Sequence, residues 1–122
     1  MRNLLEQFDV IPPGTIIPKP KAKKDFSVHG WGERRGGIAL IYNIPNHSSP
    51  SKPHRKGITR EEWARSVEQL LSSGEFRLDW FKTNLPACHK EGSCNFTTIG
   101  GLLAHLGAAR YARRGVYERV GK

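Results

Sequence analysis

The chain has 122 residues, of which 37% are hydrophobic, enough for one modest core but not for two independent ones. Twenty Lys and Arg oppose eleven Asp and Glu, a formal charge of +9, and such an excess attracts polyanions, nucleic acid first and an anionic membrane surface second. No stretch approaches the ~20 apolar residues of a membrane span and no apolar signal segment follows Met1, so a cytoplasmic location is expected; two cysteines are too few for a disulfide-stapled secreted scaffold.

Composition divides the chain near residue 57. Residues 1–57 hold seven of the eight prolines and ten Lys and Arg against four Asp and Glu, so most of the net charge lies here. Leu4, Leu5 and Phe8 stand at helical spacing over residues 2–9, and Ile11-Pro12-Pro13-Gly14 breaks that turn. Pro18-Lys19-Pro20-Lys21-Ala22-Lys23-Lys24 reads as an extended, solvated arm, because proline fixes φ and the lysines repel. Two strands follow, Asp25–Gly30 and Ile38–Ile44, with a glycine-rich basic loop Gly30–Gly37 between them. Pro45 to Lys56 is polar and proline-rich and reads as a linker or surface loop.

Residues 58–122 change character. Thr59-Arg60-Glu61-Glu62 is a capping box, with Ile58 and Trp63 placed as a hydrophobic staple over it. Trp63, Val67, Leu70 and Leu71 then form one apolar stripe, and Gly74 is placed to end the helix. A second helix covers Arg77 to Asn84, with Leu78, Phe81 and Leu85 inward and Pro86 barring its continuation. The third runs from Thr97 to Leu106, with Asn95 or Thr97 as cap, and buries Ile99, Leu102, Leu103 and Leu106. Arg113-Arg114-Gly115 is a turn between strands Ala109–Ala112 and Val116–Val120.

Three helices followed by a basic hairpin, over residues 58–120, resemble the winged-helix superfamily of DNA-binding domains. The expected fold is therefore α+β, a winged helix at 58–122 with a basic arm and β-hairpin at 1–57 packed on it or extending its sheet. The resemblance implies a non-enzymatic protein that binds double-stranded DNA and needs no cofactor or metal. Carried onto this chain, it puts Asn95, Thr97 and Thr98 of the third helix against base edges or phosphate, with His105 on the exposed face, and makes Arg110, Arg113, Arg114 and Arg119 a phosphate-gripping wing. The exposed face of that helix reads as Gly100, Gly101, Ala104 and His105, which lacks side chains for bidentate base contacts and suits a protein partner or a homodimer instead.

In the first half, Trp31 between two glycines can stack on an unpaired base while Arg34 and Arg35 clamp phosphates. The competing reading packs Trp31 on the sheet and leaves the arginines at a solvated hairpin tip. A small nuclease using His47 or His29 with Arg34 and Arg35 is the enzymatic alternative, although paired carboxylates for a metal are absent. Cys88, His89 and Cys94, with His47 or His54, invite a zinc site, but the CxxC pairs of zinc modules are missing.

Overall fold

A computed structural model describes residues 3–121. Helix α1 (Leu4–Asp9) starts where the Asn3 side chain accepts from the Glu6 amide, and lays Phe8 into the core. Strands β1 (Ile16–Ile17), β2 (Phe26–Arg34), β3 (Gly37–Ile44) and β4 (His54–Thr59) form an antiparallel sheet in chain order. Helix α2 (Arg60–Ser73), strand β5 (Glu75–Arg77), helices α3 (Leu78–Asn84), α4 (Pro86–Glu91) and α5 (Cys94–His105) and strands β6 (Ala109–Arg113) and β7 (Val116–Arg119) follow. The second sheet has the order β5-β7-β6. The fold is thus a small α+β domain, a four-stranded antiparallel sheet followed by helices and a C-terminal hairpin sheet. No helix among the described residues is long and apolar enough to cross a membrane.

Local signals hold at α2, whereas α5 starts at Cys94 rather than Thr97 and places Asn95 and Thr97 inside the helix instead of at its cap. Thr59 accepts from the Glu62 amide while Glu62 accepts from the Thr59 amide, completing the capping box of α2, and Gly74 ends that helix in the left-handed region at φ 87°. Leu71, placed on the apolar stripe by spacing, is instead 48% exposed. Pro86 does end α3, but it also opens α4 as a first-turn residue, where its missing N–H costs nothing.

The first half differs more. Strand β2 does not stop at Gly30 but runs on to Arg34, so the expected glycine-rich loop is a strand, and Trp31 pairs with Leu40. Only Arg35 and Gly36 turn the chain, both at positive φ (49° and 76°), as in the two-residue hairpins whose twist matches their strands. The expected linker ends early, because His54–Thr59 pairs with Ala39–Ile44 of β3 as β4. Thr59 therefore closes the sheet and caps α2, and the composition boundary at residue 57 falls inside β4. One hydrophobic core joins both halves: Phe8, Ile17, Leu40 and Tyr42 pack with Trp63, Phe76, Ile99 and Leu102.

At its centre lies α5. A methyl built on Gly100 would overlap the Tyr117 ring, and one on Gly101 would overlap the Pro18 carbonyl and press on Ile17. The helix is covered by the hairpin sheet on one side and by β1 with its following residues on another, which is why it can be apolar nearly all round.

Candidate nucleic-acid interface

The arginines at the tip of the first hairpin are not solvated. Arg35 donates through Nε and Nη2 to both oxygens of Glu62 (2.6 and 2.7 Å), through Nη1 to Glu91 (2.9 Å) and through Nη2 to the Gly57 carbonyl (2.8 Å), and its side chain is only 19% exposed. Arg34 takes the other oxygen of Glu91 at 2.9 Å. Burial by itself would raise both carboxyls. Hydrogen bonds from Arg35 and the Thr59 amide to Glu62, and from Asn95 and Arg35 to Glu91, outweigh it and hold both below the ordinary carboxylate range. The Glu62 hydrogen bond in turn raises the Arg35 guanidinium. This network seats the hairpin tip on the start of α2 and the end of α4, so Arg34 and Arg35 are not free to clamp phosphates. Trp31, on the strand rather than in a loop, is 41% exposed and meets Phe8 edge-on, with ring centroids 5.5 Å apart.

The expected reading edge of α5 is closed as well. Asn95 is fully buried: it accepts from the Tyr42 hydroxyl (2.5 Å) and donates to the Cys88 carbonyl (2.8 Å) and to Glu91 (3.0 Å). Thr98 is buried too, and both its hydroxyl and that of Thr97 accept from the Lys19 ammonium, at 2.7 and 2.8 Å. Lys19, expected on a solvated arm, is thus folded in, donating also to the Cys94 carbonyl (3.0 Å) and lying 4.4 Å over the Phe26 ring. Gly100 and Gly101, expected on an exposed face, are buried under Tyr117 and Ile17–Pro18. That face already has its partner within the chain, so it offers nothing to a homodimer. His105 is exposed at the far end of the helix.

The wing behaves differently. Arg110 pairs with Glu118 beside it on the sheet, and Arg119 donates to the Leu71 carbonyl at 2.7 Å. The side chains of Arg113 and Arg114 at the hairpin end are exposed and make no ion pair or hydrogen bond among the described residues. With Arg77, Asp79 and Lys82 they line one shallow cleft.

No protein-family model, no curated protein and no solved structure matches this chain.

The other proposed chemistries are not assembled. His47 follows the end of β3 opposite the Arg34–Arg35 tip, and eight strand residues from Gly37 to Ile44 separate them by about 25 Å. His29 stands at a bulge in β2, about 16 Å along the strand from Arg34. Among the described residues no three His, Cys, Asp or Glu side chains gather closely enough to hold a metal ion. Cys88 faces Arg35 at 3.7 Å, whereas Cys94 faces the Tyr42 hydroxyl at 3.2 Å. Burial, with Glu62 adding to it, pushes the Cys88 thiol up, which keeps it protonated and unreactive.

Two openings adjoin these elements. A cleft of about 490 Å³ beside the Arg35 network mixes Arg60 and Arg65 with Glu61 and Glu62. Both arginines are already engaged, with Asp9 and the Asn84 carbonyl respectively. The second, of about 590 Å³, lies between the lysine arm and the wing; Lys21, Lys82, Arg114, Phe26 and Tyr111 line it, and no acidic side chain does. Sequence reasoning missed Lys82, Lys21 and Tyr111 as a group. Tyr111 carried one signal, standing two residues from Ala109 and so on the same face of β6, but nothing local ties α3 and the arm to that position.

Proposed function

We propose that this chain is a non-enzymatic nucleic-acid-binding protein that grips the phosphate backbone through its wing. The order α2, β5, α3, α4, α5, β6, β7, with β7 between β5 and β6, supports placing residues 58–120 in the winged-helix class. The observation that carries the reading is the exposed pair Arg113–Arg114 at the end of the β6–β7 hairpin, whose two guanidiniums form no ion pair, while the one acid lining the cleft beside them and Lys82, Asp79, is paired with Arg77. Elsewhere on the candidate surface the arginines are paired: Arg34, Arg35 and Arg110 with carboxylates. Unpaired arginines on a protrusion release counterions from a nucleic-acid backbone without first breaking an internal ion pair. Base reading by α5 is no part of this proposal, since Asn95 and Thr98 are used inside the chain.

The test is binding of labelled duplex DNA at about 50 and 200 mM salt. Replacing Arg113 and Arg114 together by Ala should weaken binding about tenfold or more at the lower salt and reduce the slope of log K against log salt by about 2. An unchanged slope and affinity would sink the wing assignment.

A further inference from the structure

The groove beside the wing combines three properties that a phosphate grip alone does not require. Its rims are basic: Lys21 comes from the arm, Lys82 from α3 and Arg114 from the wing turn, with no acidic residue among its walls. It presents aromatic surface, from Phe26 and from Tyr111, which is 39% exposed and touches Tyr117 at a ring-centroid distance of 5.5 Å. Beneath it sits Lys19, whose Nζ donates to a carbonyl and two hydroxyls and meets no carboxylate. A duplex presents phosphate and sugar outward and keeps its base faces stacked, which would leave these rings unused. A strand with unpaired bases offers both partners at once, phosphate for the rims and a π-face for the ring. At about 590 Å³ the groove is of the size that encloses a small organic ligand, about one or two nucleotides.

We propose that this groove seats an unpaired stretch of nucleic acid, with phosphates on Lys21, Lys82 and Arg114 and a base against Tyr111. The proposal rests on the phosphate-gripping reading of the wing and adds where the bases go. It also assigns the arm a purpose: Pro18 and Lys19 fix it to α5, so that Pro20 to Ala22 become the second wall.

The experiment compares three labelled probes of about 16 nucleotides, oligothymidylate, oligouridylate and a blunt DNA duplex, by fluorescence anisotropy at about 50 mM salt. The single strands should bind more tightly than the duplex, and the oligothymidylate and oligouridylate arms separate DNA from RNA. Tyr111→Ala should weaken single-strand binding about tenfold and leave duplex binding unchanged, while Tyr111→Phe should retain both. Because Tyr111 also touches Tyr117, circular dichroism melting of each variant establishes that the fold persists, and Lys21→Gln with Lys82→Gln provides an independent arm that touches no core residue. Equal affinity for duplex and single strand, or no effect of Tyr111→Ala and of the lysine pair on single strands, overturns the groove. If the Arg113 and Arg114 pair still weakens all three probes in that case, the wing grip stands without it. Absence of binding to any probe by the native chain overturns both.

Discussion

The two hairpins carry nearly the same tip, Arg34-Arg35-Gly36 and Arg113-Arg114-Gly115, and put it to opposite uses. Both tips turn the chain with a glycine at positive φ, at 76° and 77°. The first lies within reach of Glu62 and Glu91, each turned inward by its own helix, and its arginines become the cement between the sheet and the helical half. The second forms no ion pair among the described residues, because Asp79, which lines the cleft beside it, is paired with Arg77. An arginine pair is therefore not a binding motif in itself; the acids that the fold brings to it decide whether its charge is spent inside or offered outside.

The contrast can be broken most strongly at Arg35. Arg35→Ala leaves Glu62 and Glu91 half-buried without their main counter-charge and should cost about 3–5 kcal/mol, read as a lower urea midpoint. The native carboxyls are held below their ordinary pKa, so the stability they contribute is present above about pH 4.5 and is lost as pH falls through their folded values. The difference in urea midpoint between the native chain and Arg35→Ala should therefore be largest near neutral pH and shrink as pH falls below about 4.5; a difference that does not change with pH would argue that the ion pairs add nothing.

Lys19 is the intermediate case, a buried cation without an acid. Burial pushes its ammonium down to about 7 from 10.5, with the nearby Cys94 working weakly the other way. The unfolded chain then binds more protons than the folded one above pH 7, so stability should rise with pH, by up to about 1.4 kcal/mol per unit. Above about pH 9 the buried Cys88, Tyr42 and Tyr117, all shifted upward by burial, act in the opposite sense, which confines the rise to pH 7–9. Urea melts across that window should show the slope in the native chain and a flat profile in Lys19→Met.

The smallest expected effect is the most pointed. Arg114→Ala should change the melting midpoint by an amount equivalent to no more than about 0.5 kcal/mol, because it removes no internal contact. A loss comparable to that of Arg35→Ala would mean that the wing tip, too, is structural and would remove the basis for its binding role.

Much of the second half could be read from the residues because its signals are local. The Thr59–Glu62 box, Gly74, the Leu78–Asn84 helix and the turn at Gly115 each depend on neighbours a few positions away. The candidate site was less legible. Arg110, Arg113, Arg114 and Arg119 stand on the hairpin as expected, yet only the middle two are unengaged. Asn95, Thr97 and Thr98 have the composition of an exposed helix start and become acceptors and donors of the core because Tyr42 and Lys19, 53 and 78–79 residues away in the chain, fold against them.

By itself, the sequence determined the capped start and glycine stop of α2, the short helix before Pro86, the turn at Gly115 and the excess of positive charge, since each follows from propensity, periodicity or simple count. Only the tertiary structure decided which cations are free, that β4 replaces a linker, and that α5 lies under the N-terminal strap rather than on the surface. Those outcomes depend on pairings across 10 to 79 residues, between Ile44 and His54 at the near end and Lys19 and Thr98 at the far end. Such contacts form when burial of the whole core pays for closing long loops, and no window of local sequence records that balance.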